Sequence, residues 1–322
     1  MKRRLFLGLA AASLAAPALA QESGAFPVKI DHALGETVIA AAPERILTIG
    51  WMTQDVVLAL GQIPVAIPYQ GWGGDENGVL PWVAEAVAAL GGPLPERVNF
   101  DAGLPIEQIA GLQPDLILAP YSDLDASQYE LLSAIAPTLA YAKGPWSGTW
   151  QEVTLVVGRA LGQPAEAQAL VDGVAARLGG IAAAHPEFAG KTFTFGYYEP
   201  NAGNVGVYVA TDPRVQMLTD LGLEMSPGSA ALPTDGGFYV DTSLEVLDSM
   251  DADIFITWHS TQEELDAFRA NPLVALFPPV RDGRHIGLVD NSFVMATSAP
   301  SVLSIPWSID RLVPELSAVL VK

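Results

Sequence analysis

The stretch NFDAGLPIEQIAGLQPDLILAPYS, residues 99–122, aligns without a gap with GFYVDTSLEVLDSMDADIFITWHS, residues 237–260. Each copy has a helical pattern followed by an apolar run that is typical of a buried strand. The identical pairs are Phe100 and Phe238, Glu107 and Glu245, Asp115 and Asp253, and Ser122 and Ser260. The repeat indicates that the chain is built from two similar halves.

Strand and helix patterns alternate in both halves. In the first half, strands are predicted at 46–50, 63–68 and 115–120, and helices at 54–61, 105–112 and 127–135. In the second half, strands are predicted at 192–198, 253–258 and 284–289, and helices at 215–222, 243–250, 262–270 and 302–321. Such alternation is typical of parallel sheets covered by helices on both faces. We therefore predict an α/β fold of two Rossmann-like βα lobes with mostly parallel sheets.

A helical segment separates the two halves. One helical pattern covers 149–161, and a second begins at Pro164 and ends before Pro186. The second pattern carries an apolar stripe, which on its own is also typical of an ordinary surface helix. A helix over 164–185 would be about 30 Å long, which is the diameter of a small domain. We predict an N-terminal lobe at 26–145, a helical segment at 146–186 that joins the lobes, and a C-terminal lobe at 189–322.

The first twenty residues have the pattern of a secretory signal peptide. MKRRLFLGLAAASLAAPALA has a basic start, a short apolar run and a small-residue end, so cleavage is predicted after Ala20. Arg3 and Arg4 followed by Leu5-Phe6-Leu7 resemble a twin-arginine export signal, although an ordinary secretion signal can also contain two arginines. The pattern predicts an exported, periplasmic protein.

Composition excludes several kinds of partner and site. The chain has a formal net charge of −20, and removal of the signal peptide with its three basic residues makes it −23. Such a charge repels nucleic acids and anionic lipid surfaces, and no apolar run of membrane length follows the signal peptide. Cysteine is absent, so disulfides, thiolate metal sites and a lipid-modified cysteine are excluded. We expect a monomer without direct membrane insertion.

Aromatic side chains follow the predicted strands in both halves. In an open α/β sheet, ligands bind beyond the carboxyl ends of the strands. Aromatic residues at this place would form an apolar cleft between the lobes, although each one singly is also typical of core packing. His259 is the one histidine at such a strand end, where core packing is the competing interpretation. The predicted ligand-binding residues are Trp51, Tyr69, Trp72, Phe100, Tyr121, Tyr198, Phe238, Trp258 and His259.

The repeated glutamates require a separate explanation. Glu107 and Glu245 each lie near the start of a predicted helix, where the helix dipole stabilises a negative charge by a few tenths to about 1 kcal/mol. That explanation suffices for one glutamate. Two equivalent acidic groups on two lobes would also fit two basic sockets on a two-fold symmetric partner.

Signatures of catalysis are missing from the sequence. There is no G-x-S-x-G, G-x-G-x-x-G or Walker loop, and the four histidines are too scattered for a histidine metal site. Paired carboxylates are expected by chance among 36 acidic residues. We predict no enzymatic activity, no cofactor and no protein-bound metal. A periplasmic enzyme that acts on a chelate is the rival from another class.

The chain resembles the substrate-binding proteins of iron-siderophore, haem and cobalamin ABC importers. The resemblance covers the whole mature chain and rests on PERILTIGWMTQDVVLALGQIPVAIP (43–68), PIEQIAGLQPDLILAP (105–120), LSIPWSIDRLVPEL (303–316) and the two glutamates. FPVKIDHALGETVIAAAPERIL (26–47) is especially similar to the ferric-siderophore branch. The resemblance implies two lobes joined by one long helix, a cleft that holds the ligand, and only modest lobe motion.

The resemblance also implies roles for individual residues. Glu107 and Glu245 would dock on arginines of the two subunits of a membrane ABC permease. Asp101 stands where hydroxamate-binding members often have an arginine, which leaves the choice of chelate open. The expected ligand is a ferric siderophore. Haem or a corrinoid is the alternative, and haem would require an axial ligand such as Tyr121, Tyr198 or His259.

Overall fold

The computed structural model describes residues 26–199, 203–234 and 237–321. The predicted signal peptide, residues 1–20, lies outside the described residues. Within these ranges, no helix has the length and apolarity needed to cross a bilayer.

The N-terminal lobe is built on a five-stranded parallel sheet. A hairpin of β1 (Val28–His32) and β2 (Gly35–Ile39) precedes it. The sheet strands are β3 (Ile46–Thr48), β4 (Ala66–Pro68), β5 (Glu96–Val98), β6 (Leu116–Leu118) and β7 (Thr138–Leu139), in the spatial order β5-β4-β3-β6-β7. The helices are α1 (Thr53–Ala59), α2 (Pro81–Leu90), α3 (Ile106–Gly111) and α4 (Ala126–Ser133). Every residue of β3, β4 and β6 is buried, as expected of central parallel strands.

Two consecutive helices follow this lobe. In α5 (Trp150–Ala160), the side chains of Thr149 and Glu152 form a capping box at the start, which satisfies two backbone N–H groups. The helix α6 (Pro164–Ala184) begins with a proline, whose missing N–H costs nothing at this position. These bounds agree with the predicted helical patterns at 149–161 and 164–185. Gly158 lets the two helices approach closely, because a Cβ at this residue would lie 2.1 Å from the Cβ of Ala167.

The C-terminal lobe contains a six-stranded mixed sheet. Its strands are β8 (Thr192–Glu199), β9 (Asn204–Tyr208), β10 (Glu224–Met225), β11 (Tyr239–Ser243), β12 (Ile254–Trp258) and β13 (His285–Leu288). The order is β11-β9-β8-β12-β13, and β10 pairs with the start of β8. The β8, β10, β12 and β13 strands are parallel, whereas β9 and β11 run antiparallel to their neighbours. The helices are α7 (Pro213–Asp220), α8 (Pro227–Ala230), α9 (Gln262–Ala270), α10 (Pro272–Leu276), α11 (Pro278–Arg281), α12 (Asn291–Ser298) and α13 (Ser304–Leu320).

The second copy of the sequence repeat does not form the same helix as the first. The helix predicted at 243–250, the counterpart of α3, is a 3-10 helix, Leu244–Met250. A short 3-10 helix of Pro186–Phe188 also follows α6. Both copies place a glutamate in the first turn, and each is followed by a buried strand, β6 or β12. The repeat therefore preserves the position of the glutamate more closely than the type of helix.

One apolar core continues from the first lobe into the second. It includes Val56 and Trp82 of the N-terminal lobe together with Phe193, Ile256 and Ile305. The rings of Trp82 in α2 and Trp307 in α13 lie 5.3 Å apart, centroid to centroid. Because this core crosses from lobe to lobe, it does not divide the chain into separate domains. The domain limits 26–145, 146–186 and 189–322 therefore stay predictions.

A candidate ligand site between the two lobes

The strand ends of the N-terminal lobe are tied together by their backbone. Gly50 has a φ of 83°, and a Cβ at this residue would lie 2.1 Å from the carbonyl oxygen of Tyr121. Only glycine fits so close to another main chain. The next residue, Trp51, donates its N–H to the same carbonyl oxygen at 3.0 Å. This contact fixes Trp51 and Tyr121 side by side, beyond β3 and β6.

Trp146 completes the aromatic wall of this lobe. Its ring lies 5.4 Å from that of Trp51 and 5.6 Å from that of Tyr121. Trp146 has a φ of 51°, and Met52 beside Trp51 has a φ of 65°. Positive φ values are strained for bulky residues and are often found at functional sites. Trp146 was not predicted as a site residue, because it belongs to a loop rather than to a strand end.

Two cavities meet at Trp146. The first, of about 480 Å³, is lined by the N-terminal lobe and includes Trp51, Tyr69 and Phe100. The second, of about 710 Å³, lies between the segment that leads into α5 and the C-terminal lobe, and it includes Phe238. Trp146 lines both of them. Their volumes are in the range of small-molecule sites.

The aromatic wall of the C-terminal lobe is formed by Trp258 and its neighbours. The rings of Trp258 and Tyr197 stack at 5.6 Å, and the Nε1–H of Trp258 donates to the hydroxyl of Tyr208 at 2.7 Å. Trp72 of the other lobe lies 5.5 Å from Trp258. An aromatic contact therefore bridges the lobes. Tyr197 belongs to this wall and was not among the predicted site residues.

A buried ion pair lies close to both lobes. The Nη1 of Arg214 contacts the Oδ2 of Asp212 at 2.8 Å, and its guanidinium lies 4.1 Å above the ring of Tyr208. Burial lowers the pKa of the Arg214 guanidinium, but Asp212 together with Tyr208 and Tyr121 outweighs burial, so the pKa is raised and the group stays protonated. Burial also raises the pKa of Tyr121, and the charge of Asp212 raises it further. Arg214 lies at the start of α7 and was not predicted as a site residue, because no local sequence pattern indicates its position.

Tyr198 and His259 lie away from these walls. Tyr198 packs on Phe268 of α9, with ring centroids 4.8 Å apart, in an apolar cluster of the C-terminal lobe. His259 is 1% exposed and lies 5.1 Å from the same phenylalanine ring. Thr257 Oγ1 is 2.8 Å from the Nε2 of His259 and 2.7 Å from that of His285. Burial lowers the pKa of His259 to about 4 and that of His285 to about 3. The competing interpretation, a core histidine, describes the position of His259.

The two glutamates predicted to dock on a partner lie at the surface of the protein. Glu107 and Glu245 are exposed in the first turns of their helical segments. Among the described residues, no group of three or more histidine, aspartate or glutamate side chains could hold a metal ion. The structure brings Trp51, Tyr69, Phe100 and Tyr121 together on one lobe and places Trp72 against Trp258. Ligand contact by these residues stays a prediction.

The sequence and the fold match known binding proteins. Residues 48–291 match a family described as periplasmic binding protein. The crystal structure of PiaA from Streptococcus pneumoniae TIGR4 in complex with ferrichrome is 32% identical, with a TM-score of 0.82, and the match covers 91% of this chain and 98% of that one.

A periplasmic solute-binding protein from Mycobacterium smegmatis is 34% identical, with a TM-score of 0.77 and coverage of 91% and 98%. SirA from Staphylococcus aureus, solved with staphyloferrin B, is 21% identical with a TM-score of 0.73 over 90% of this chain and 98% of that one, and it supports the fold alone. On the family match and these identities, the chain belongs to the periplasmic binding protein family.

Proposed function

We propose that this protein binds a ferric siderophore in the cleft between its lobes, outside the cytoplasm, and delivers it to a membrane ABC permease. The observation that carries the proposal is the pair of aromatic walls, one on each lobe, that meet through Trp72 and Trp258. The similarity to the ferrichrome complex of PiaA supports the same ligand class. Export through the predicted signal peptide is part of the proposal.

Binding would rest on apolar contact and ring stacking with the organic shell of the chelate. Trp51, Trp146 and Trp258 are half-buried, so each presents a ring face while its position is held by neighbours. The hydroxyl of Tyr121 would stay protonated, because burial raises its pKa, and it can donate a hydrogen bond to an oxygen of the chelate. No covalent bond is made or broken, so the protein is not an enzyme in this scheme.

Haem and corrinoids are the alternative ligands. Two of the three candidate axial ligands for haem, Tyr198 and His259, pack on Phe268 in the core of the C-terminal lobe. Tyr121 is left as the candidate, and it is 5% exposed. This placement favours a chelate whose iron is already fully coordinated by its own ligand atoms.

Ligand binding can be measured directly by quenching of tryptophan fluorescence. We expect ferric hydroxamate chelates to quench the purified protein at micromolar concentrations, whereas haem and cobalamin should bind more weakly. If no ferric chelate quenches, the transport proposal is wrong. Turnover of a bound chelate by the purified protein would instead favour the enzyme alternative.

Docking on the permease is proposed for Glu107 and Glu245. Reversal of both charges to lysine should abolish uptake of the chelate and leave its binding affinity unchanged, because neither glutamate lines either of the two cavities that meet at Trp146. Glu166 is a matched control, since it is exposed in the first turn of α6 but lies outside the repeat. Normal uptake by the double variant would overturn the docking role.

A further inference from the structure

The charged side chains of the cleft are unevenly balanced. In the cavity between the helical segment and the C-terminal lobe, Lys143 pairs with Glu152 at 3.8 Å. The buried guanidinium of Arg214 is paired with Asp212 at 2.8 Å. Both cationic groups near the cleft are therefore matched by a carboxylate of their own.

The cavity of the N-terminal lobe contains the unmatched charges. Asp101 and Asp123 both line it, and both are exposed. Among the residues for which the structure gives positions, neither carboxylate forms an ion pair, and no lysine, arginine or histidine lines this cavity. The polar side chains beside them are Gln70 and Gln128, which carry no charge. This half of the aromatic site thus has two negative charges and no cation.

A negative wall discriminates between ligands by their charge. The aromatic rings of Trp51 and Phe100 can cover the apolar shell of any ferric chelate of suitable size. An ammonium group on the chelate would be attracted by the two carboxylates, and a carboxylate group would be repelled by them. The excess of acidic residues over the whole chain adds a field of the same sign, which steers cations toward the protein.

We propose that Asp101 and Asp123 make the cleft selective for ferric hydroxamate chelates that carry a protonated amine. Neutral chelates would bind more weakly, and anionic chelates most weakly. This inference rests on the proposed function and specifies the ligand class of the same site. It also gives a role to Asp101, which stands where hydroxamate-binding members of the family often have an arginine.

The test uses three ligands with one iron centre. A linear ferric trihydroxamate with a terminal ammonium group is compared with its N-acetylated neutral form and its N-succinylated anionic form. We expect the dissociation constant, measured by tryptophan fluorescence at low salt, to rise about tenfold at each step, which corresponds to about 1.4 kcal/mol. The differences should shrink at high salt, because the carboxylates are exposed.

Variants separate a local effect from one of net charge. In the Asp101→Asn, Asp123→Asn double variant, the three dissociation constants should agree within about twofold. The control is the Glu44→Gln, Glu96→Gln double variant, which removes the same charge from exposed residues of the same lobe outside the cavity. It should keep the preference of the wild type.

The other possible outcomes each overturn either this inference or the proposed function. Equal affinity of the wild type for all three ligands would overturn the inference and leave the proposed function intact. Loss of the preference in the control variant would assign it to net charge and overturn the local role. If none of the three binds but a ferric catecholate does, the inference is wrong. If no ferric chelate binds at all, the proposed function itself fails.

Discussion

A buried carboxyl group joins the two lobes behind the cleft. Asp55 in α1 is 1% exposed, and its Oδ2 accepts hydrogen bonds from Trp82 Nε1 at 2.8 Å and from Ser301 Oγ at 2.5 Å. The hydroxyl of Ser301 also accepts the N–H groups of Leu303 and Ser304 at the start of α13. The Oδ1 of Asp55 has no hydrogen-bond partner within the described part of the chain. The ionised form is therefore expensive to keep buried.

The pH dependence of this cost follows from the pKa. Burial raises the pKa of Asp55 from 3.8 to about 6, and the hydrogen bonds from Ser301 and Trp82 only partly offset it. Because the folded protein takes up the proton at a higher pH than the unfolded chain, this carboxyl stabilises the fold as the pH falls from about 7 toward 4. Between pH 7 and pH 5 the gain is about 1.3 kcal/mol.

The Asp55→Asn variant isolates this contribution. Asparagine keeps an acceptor for Trp82 and Ser301 but does not titrate, so the other ionisable groups cancel in the comparison. Free energies of unfolding are measured with urea at pH 7 and pH 5. The wild type should gain about 1.3 kcal/mol relative to the variant on going to pH 5. An equal difference at both pH values would refute a raised pKa at Asp55.

Two further predictions concern packing and histidine. Gly50→Ala should destabilise the protein by about 2 kcal/mol more than Gly61→Ala, as measured by urea unfolding. Both glycines have a φ near 84°, but only a Cβ at Gly50 would meet the backbone of Tyr121. Equal losses of stability in the two variants would show that the backbone at Gly50 relaxes to accept the Cβ. When the pH falls from 6.5 to 4, the free energy of unfolding of the wild type should decrease by up to about 3 kcal/mol more than that of His259→Gln. The reason is that His259 takes up a proton in the unfolded chain but not in the folded one. Parallel pH profiles of the two proteins would contradict this.

The order of strands and helices could be predicted because each is a local pattern. Alternation of apolar runs with 3.6-residue periodicity predicted the α/β class, and the prolines at 164 and 186 predicted the limits of α6. The antiparallel pair β9 and β11 was not predicted, because its pairing is a long-range property. The second repeat copy was predicted as a helix, but its hydrogen bonds are those of a 3-10 helix, which has a similar periodicity over two turns.

The candidate site was predictable only as far as strand ends determine it. Trp258 pairs with Tyr197 across β12 and β8, so these two side chains share one face and Tyr198 takes the other. The alternation of side chains along the strand can be seen in the sequence, but the sequence does not show which face of the sheet meets the cleft. Trp146 is placed by its own left-handed backbone conformation in a loop, and Arg214 is placed by the close approach of α7 to the other lobe. Neither feature has a local sequence pattern.

The apolar core that crosses from lobe to lobe has a consequence for unloading of the cargo. Wide opening would expose the contact of Trp82 with Trp307 and the other buried residues shared by the lobes to water. The lobes of the protein alone therefore open too little to release a tightly bound chelate quickly. In the proposed transport role, the work needed to release the chelate would have to be done by the membrane permease.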